Sequence, residues 1–159
     1  MNARQNEKRR ALWICLGLTL VWIAFIFLRS MQSGEKSAEE SSVIWTFLSK
    51  FIPSLSHTLV RKLGHLAEFT VLGCLLAALF RARGFPAQLQ KLSDLQCHIV
   101  LPAYCGLVVA FCDEIIQTGV PGRDGKITDV LIDFAGVCLG LLAVTVWTKR
   151  RKGEFGGSQ

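Results

Sequence analysis

Four long apolar runs, separated by short polar or basic segments, set the pattern of this chain. An α-helix rises about 1.5 Å per residue, so about 20 apolar residues cross the ~30 Å hydrocarbon core of a bilayer. Each run has about that length. The pattern therefore predicts four transmembrane helices, at about 10–29, 59–80, 97–118 and 128–148.

A shorter segment, 42–52, is apolar with polar residues interspersed, and its apolar positions recur at helical spacing. It is too short to span a bilayer, so we predict an interfacial helix on the outer surface, within the first outer loop. Ser41 or Ser42 can cap its first turn, and Pro53 ends it or bends the chain after it. The polar residues 30–42 are predicted to form a loop. A helix that only packs against the bundle would have the same pattern.

The composition agrees with a membrane protein and leaves no room for a separate soluble domain. The chain has 159 residues, of which 51% are hydrophobic, and its mean hydropathy is +0.40. An ordinary soluble domain is less apolar. We therefore predict an all-α fold, a polytopic membrane bundle that forms a single membrane domain over 1–159.

The distribution of basic residues predicts the orientation of this bundle. The net charge is +6, and most of the 18 Lys and Arg lie in the segments 1–10, 81–98 and 149–154. Cytoplasmic loops are enriched in Lys and Arg, so the N- and C-termini and the 81–98 loop are predicted to be cytoplasmic. The same charges suit an anionic inner leaflet, and they need no nucleic-acid partner.

Polar and ionisable residues gather at one end of the predicted second, third and fourth helices. In the second helix Arg61, His65 and Glu68 lie at i, i+4 and i+7, so they share one helical stripe. Charged side chains within apolar helices are costly, and they face a bundle interior or a water-filled cavity, which indicates a function. With the predicted orientation, all of them map to the outer third of the bundle. They are Arg61, Lys62, His65, Glu68, Asp113, Glu114, Gln117, Asp129 and Asp133, with Arg123 in the turn after the third helix.

These residue types suit the binding of an anion and the transfer of a proton. Guanidinium and ammonium groups pair with phosphate or carboxylate, and an imidazole beside a carboxylate can transfer a proton near neutral pH. The predicted catalytic residues are His65, Glu68, Asp113 and Glu114, and Glu68 or Asp113 is the predicted carboxylate partner of His65 in proton transfer. The predicted substrate-binding residues are Arg61, Lys62, Gln117, Arg123, Asp129 and Asp133.

Two other interpretations of the same acids stay open. Clustered carboxylates also bind divalent cations through oxygen ligands. The candidate ligands for such a cation are Glu68, Asp113, Glu114 and Asp129. Alternatively the residues form salt bridges that only hold the helices together, since a stable polar plug uses the same residue types.

Five motifs in this order and spacing resemble the VanZ-like membrane protein family. They cover about residues 20–142 and read Phe-Ile-Phe-Leu-Arg-Ser30-Met-Gln-Ser-Gly, Arg61-Lys-Leu-Gly-His65-Leu-Ala-Glu68-Phe, Asp113-Glu-Ile-Ile-Gln117, Val-Pro-Gly-Arg123 and Asp129-Val-Leu-Ile-Asp133-Phe-Ala-Gly136. At position 133 this chain has aspartate where many members have asparagine. The resemblance implies a small multi-pass protein of the bacterial cytoplasmic membrane, and the namesake of the family is linked with resistance to the glycopeptide teicoplanin.

The leading hypothesis for function is an outer-leaflet membrane protein that modifies an anionic cell-envelope lipid or a lipid-linked cell-wall precursor. The alternative is a non-catalytic protein that binds such a lipid or precursor, or shields it from the drug. A small transporter or assembly factor is disfavoured, because the inner halves of the predicted helices carry no ionisable residues that would form a polar path.

Overall fold

The computed structural model describes residues 3–52, 56–83 and 95–156, and within them the chain is helical and forms no strand. The helices are α1 (Ala3–Ser30), α2 (Gly34–Leu48), α3 (His57–Ala82), α4 (Leu101–Thr118) and α5 (Ile127–Gly156). Four segments are long and apolar enough to cross a membrane, namely Gln5–Ser30, His57–Ala82, Gln96–Thr118 and Ile127–Arg151. The predicted all-α bundle with four transmembrane helices is confirmed.

Helices α3 and α5 form the tightest pair of the bundle, because glycines let their backbones approach. A Cβ atom at Gly140 would lie 2.2 Å from the carbonyl oxygen of Thr70, and one at Gly73 would lie 2.3 Å from that of Val137. Gly136 meets the backbone of Leu66 in the same way. The small-residue spacing in α5 therefore serves close helix contact.

The remaining helices pack around this pair. Ile26 of α1, Phe69 of α3 and Ala110 of α4 are fully buried in one apolar core. The indole nitrogen of Trp22 donates a hydrogen bond of 2.9 Å to the backbone carbonyl of Glu68, which fixes α1 against α3. The opposite face of α1 exposes large apolar residues such as Leu18, as expected of a surface that faces lipid.

Helix α4 begins with an irregular turn. Gln96–Val100 forms a π-helical turn, and the N–H of Leu101 bonds to the carbonyl of Gln96. Pro102 follows in the first turn of α4 and is buried. Because proline has no N–H, Pro102 cannot donate the usual helical hydrogen bond to the carbonyl four positions earlier. The π-helical turn lies directly before this position.

The helix in the first connection lies earlier than predicted. It spans Gly34–Leu48 rather than 42–52, and its N-cap is Ser33, whose side chain accepts from the N–H of Lys36. Ser41 and Ser42, the predicted caps, lie inside the helix, so that prediction was wrong.

A tertiary contact explains this early start. The N–H of Gly34 donates to the carbonyl of Pro121 at 3.1 Å, and a Cβ at Gly34 would lie 2.1 Å from the carbonyl oxygen of Gly122. The first turn of α2 is thus fixed by the distant turn between α4 and α5. Pro53, the predicted terminator, lies outside the described residues.

Candidate functional site

The polar residues of α3, α4 and α5 converge at one end of the bundle, which we call the polar end. It is the end where α1 passes into α2 and where the turn 119–126 joins α4 to α5. The contact between Gly34 and Pro121 brings these two connections together. The polar end therefore includes all four transmembrane helices and α2.

Three side chains form the centre of the polar end, and we call them the histidine–aspartate cluster: His65, which is partly buried, and Asp113 and Asp133. Asp113 on α4 and Asp133 on α5 are both fully buried. The Nδ1 atom of His65 on α3 lies 3.4 Å from Oδ1 of Asp133. One nitrogen or oxygen atom from each residue lies within 4.8 Å of those of the other two.

The two aspartates of the cluster differ in their partners. Asp113 accepts a hydrogen bond from the hydroxyl of Ser30 and a second one, of 2.6 Å, from the side-chain amide of Gln117. Neither carboxylate oxygen of Asp133 has a hydrogen-bond partner among the described residues. Its only ion pair in that part of the chain is the contact with His65. The Nδ1 atom of His65 makes no hydrogen bond within this contact.

Glu114 stabilises the turn after α4. Its Oε2 accepts a hydrogen bond of 2.7 Å from the backbone N–H of Lys126, and its Oε1 has no hydrogen-bond partner among the described residues. Gly125 fits beside it, since a Cβ there would lie 2.9 Å from the carbonyl oxygen of Glu114. The carboxylate thus fixes the backbone that leads from Arg123 into α5.

Three further acids form ion pairs on the rim of the polar end. Lys62 on α3 pairs with Asp129 on α5, with 3.6 Å between Nζ and Oδ1. Arg29 at the end of α1 pairs with Glu68 at 3.1 Å and with Glu40 of α2 at 3.4 Å. Because these side chains are partly exposed, each pair contributes at most about 1 kcal/mol.

Two cavities open on either side of a wall formed by Arg61, His65 and Arg123. The first, of about 90 Å³, is lined by these three with Lys62, Gln117, Gly122, Asp124, Lys126, Asp129, Ile132 and Asp133. The second, of about 110 Å³, is lined by the same three with Arg29, Ser30, Ser37, Glu40, Ser41, Val60, Gly64 and Glu68. His65 borders both cavities, so it is the member of the cluster that is most accessible to a ligand.

The two arginines of this wall have no carboxylate partner in the part of the chain that the structure describes. Neither Arg61 nor Arg123 forms an ion pair with any described residue, whereas Arg29 and Lys62 do. Burial lowers the pKa of Arg123, and the positive charge of Arg61 lowers it further. A guanidinium remains protonated in proteins. Asp113 and Glu114 act on Arg123 only from a distance, without forming an ion pair with it, so both guanidinium groups are available to an anion.

Most of the predicted site residues line one cavity. Arg61, Lys62, His65, Gln117, Arg123, Asp129 and Asp133 all border the first cavity. Glu68 borders the second, and Asp113 and Glu114 are buried behind the walls. Of the acids predicted to bind a cation, Asp113 alone belongs to the one three-residue cluster of potential ligands in the described part of the chain.

The contribution of α1 to the polar end was not predicted from the sequence. Arg29 neutralises Glu68, and Ser30 donates to Asp113. The signal was a charged residue and a hydroxyl residue directly after an apolar helix, at the same end as the other polar groups. Their partners were not predictable without the packing of α1 against α3 and α4.

The architecture and the site define a multi-pass helical membrane protein with a polar site at one end of its bundle. The sequence model of the VanZ/LLP1 family matches residues 15–148. The chain belongs to this family, and the matched region contains every residue of the polar end discussed above. No curated protein matches the chain, and no solved structure matches it.

Proposed function

We propose that this VanZ/LLP1 protein binds the anionic head group of a cell-envelope lipid, or of a lipid-linked cell-wall precursor, at the polar end and modifies it there. The observation that carries the proposal is the wall between the cavities. Arg61 and Arg123 lie there without a carboxylate partner among the described residues, and His65 lies between the same two cavities.

The charges of the two arginines favour an anion over a neutral ligand. Guanidinium groups bind phosphate and carboxylate through charge-assisted and often bidentate hydrogen bonds. Two of the acids that line the cavities are held by other cations, since Asp129 pairs with Lys62 and Glu68 pairs with Arg29. An incoming anion therefore meets two arginines at the wall that form no ion pair with a described residue.

The location of the polar end favours a lipid over a soluble ligand. The cavities lie among residues at the ends of apolar spans, which is the depth at which lipid head groups reside. Exposed apolar residues of α2 and the segment after it, such as Phe47 and Phe51, suit contact with the interface of the bilayer. We infer from the basic segments of the chain that this is the outer leaflet of the bacterial cytoplasmic membrane.

The histidine–aspartate cluster is the proposed reactive part of the site. His65 borders both cavities and contacts the buried Asp133, so the cluster lies directly beside a bound head group. It can act through proton transfer or through stabilisation of charge in the transition state. The carboxylate next to His65 is Asp133 rather than Glu68 or Asp113, the partners that the sequence suggested.

A second candidate function is a binding protein without catalysis. It is favoured by the number of acids at the polar end that are held by structural partners, namely Glu68, Asp129 and Glu114. Such a protein would bind an envelope lipid or precursor and shield it from a glycopeptide such as teicoplanin. It would need Arg61 and Arg123 but no reactive histidine.

Lipid mass spectrometry of the purified protein in liposomes tests the proposal. The liposomes contain bacterial phospholipids and a polyprenyl-linked precursor, and wild type is compared with His65→Ala, Arg61→Gln and Arg123→Gln. We expect a new lipid species with wild type and none with His65→Ala. We expect each arginine variant to retain anionic lipid about tenfold less well, because each loses charge-assisted hydrogen bonds.

A matched control and the opposing outcomes complete this experiment. Arg83→Gln removes an exposed arginine at the opposite end of the bundle, so it should leave lipid retention and product unchanged. Retention of one anionic lipid by wild type and His65→Ala alike, without any product, would favour the binding protein. Equal retention of anionic and neutral lipids by wild type would contradict both functions.

A further inference from the structure

The geometry of the histidine–aspartate cluster points to a metal site. We propose that His65, Asp113 and Asp133 bind one divalent transition-metal cation, of the zinc or manganese class, at the floor of the first cavity. This differs from the cation site suggested by the sequence, which used Glu68, Asp113, Glu114 and Asp129. The proposal deepens the function proposed above, and its catalytic part rests on that function.

Uncompensated negative charge is the first argument for a cation. Asp113 and Asp133 are both fully buried, and no described Lys or Arg forms an ion pair with either of them. Burying a carboxylate is costly unless it is paired, hydrogen-bonded or bound to a metal. Asp113 accepts hydrogen bonds from Ser30 and Gln117, but these neutral donors do not cancel its charge. One imidazole cannot neutralise two carboxylates, whereas a divalent cation neutralises both.

The unsatisfied atoms of Asp133 are the second and independent argument. Both of its oxygens are buried and lack a hydrogen-bond partner among the described residues, although the large majority of buried polar atoms in proteins have one. Nδ1 of His65 is likewise buried without a hydrogen bond and lies 3.4 Å from Oδ1 of Asp133. Two carboxylate oxygens and one imidazole nitrogen thus lie together in the buried site, with no hydrogen-bond partner among the described residues.

The distances suit a common cation. Ligand atoms at about 2.0–2.2 Å from a tetrahedral zinc ion are separated by roughly 3.3–3.6 Å. The contact between His65 and Asp133 already has this length at 3.4 Å, and all three ligand atoms lie within 4.8 Å of one another. Because no two of these atoms are farther apart than 4.8 Å, shifts of roughly 1 Å would bring all three to this spacing.

The donor types and their supports indicate which cation binds. One nitrogen and two carboxylate oxygens suit zinc, manganese or iron better than magnesium or calcium, which prefer oxygen alone. Ser30 and Gln117 hold the Asp113 carboxylate, as outer-sphere partners hold metal ligands in known sites. Each of α3, α4 and α5 supplies one ligand, so the site exists only in the folded bundle.

The cation would define the substrate class of the proposed function. The first cavity leads from the cluster to Arg61 and Arg123, so an anion held by the arginines also reaches the cation. A metal ion polarises a phosphoryl or carbonyl oxygen, and the arginine pair favours phosphate among these. The substrate is then a phosphate-bearing lipid, and His65 acts as a ligand rather than as the group that transfers the proton.

Metal binding by the tag-free protein tests the site directly. The full chain is placed in nanodiscs of zwitterionic phosphatidylcholine, stripped with a chelator, and titrated with Mn²⁺ while electron paramagnetic resonance counts the free ion. Elemental analysis after equilibration with Zn²⁺ gives the stoichiometry. We expect one ion per chain in wild type, and a loss of affinity of about 10–100-fold or more in His65→Ala and Asp133→Ala, by analogy with the loss of outer-sphere partners.

Graded and matched variants sharpen this test. Asp133→Asn keeps one oxygen ligand at the same shape, so its affinity should lie between those of wild type and Asp133→Ala. Glu35→Gln and His57→Ala alter an exposed acid and an exposed histidine outside the cluster, and they should bind Mn²⁺ as wild type does. Absence of ion binding in wild type would overturn the proposal whether or not any variant folds. Unchanged binding in all folded cluster variants would overturn it as well.

The same samples separate this proposal from the function on which its catalytic part rests. Lipid conversion is measured in the stripped and the Mn²⁺-loaded wild type. Conversion only in the loaded protein supports both, and metal binding without any conversion supports the site while it contradicts the modifying activity. Conversion of equal rate in stripped protein would contradict a catalytic cation and leave the lipid function standing.

Discussion

Ser30, the last residue of α1, donates a hydrogen bond to the buried carboxylate of Asp113 near the end of α4. The bond joins two transmembrane helices that are far apart in the sequence. It also satisfies one oxygen of a carboxylate that no described Lys or Arg neutralises. Ser30 therefore supports both the packing of α1 and the position of the cluster.

Removal of this hydroxyl should destabilise the bundle. We expect Ser30→Ala to lower the free energy of unfolding by about 1–3 kcal/mol, because a buried carboxylate loses a donor. Unfolding by SDS in mixed micelles, followed by the fluorescence of the four tryptophans, measures the change. Ser42→Ala is the control, since that hydroxyl donates within its own helix to the carbonyl of Glu39. Equal stability of Ser30→Ala and wild type would show that the bond contributes nothing.

The contact of α3 with α5 gives a second prediction. Gly140→Ala should destabilise the bundle by about 1–3 kcal/mol or more, since its Cβ would lie 2.2 Å from the carbonyl oxygen of Thr70 and 2.7 Å from the nitrogen of Cys74. Gly17→Ala is the matched control, because a Cβ at Gly17 meets no atom within 4 Å, and it should be neutral or slightly stabilising. The same SDS titration measures both, and equal effects would contradict close backbone packing as the cause.

The sequence predicted the transmembrane helices well because the physical requirement is one-dimensional. A span must be apolar over about 20 residues, whatever its neighbours are. The third span, predicted at 97–118, is found at Gln96–Thr118. The position of α2 was not predictable in this way, because the contact of Gly34 with Pro121 and Gly122 fixes its first turn. That contact depends on tertiary structure.

The site residues show the same contrast between what local sequence predicts and what depends on tertiary structure. Helical spacing placed Arg61, His65 and Glu68 on one stripe, and this suggested that Glu68 accompanies His65. In the structure Arg29 pairs with Glu68, while the close approach of α5 brings Asp133 to His65. The sequence thus identified which residues gather at the polar end, but it could not assign the pairs, which depend on how the helices cross.

The orientation of the bundle gives a third prediction, which rests on the positive-inside rule. In a background without native cysteines, Glu35→Cys and Arg83→Cys place exposed thiols near opposite ends of the bundle. We expect a membrane-impermeant maleimide to label Glu35→Cys in intact cells and Arg83→Cys only after permeabilisation. The cysteine-free chain controls for background labelling. The reverse pattern would place the polar end at the cytoplasmic face.

The roles of Glu68 and Asp113 give a fourth prediction, because the sequence assigned both to catalysis while the structure gives them different partners. Glu68 pairs with Arg29, which is partly exposed. Glu68→Gln should therefore lower the free energy of unfolding by at most about 1 kcal/mol. It should keep lipid conversion within about fivefold of wild type. Asp113 belongs to the buried cluster, and Asp113→Asn should lower conversion by about 100-fold or more.

Lipid mass spectrometry in liposomes measures both conversions, and the amount of folded protein in the membrane is determined alongside. Each substitution keeps the size of the side chain and removes one negative charge, so the pair is matched. If Glu68→Gln abolished conversion while Asp113→Asn retained it, the reactive centre would lie in the second cavity, which Glu68 borders. Equal losses at normal protein levels would indicate that the total charge of the polar end matters, rather than the cluster.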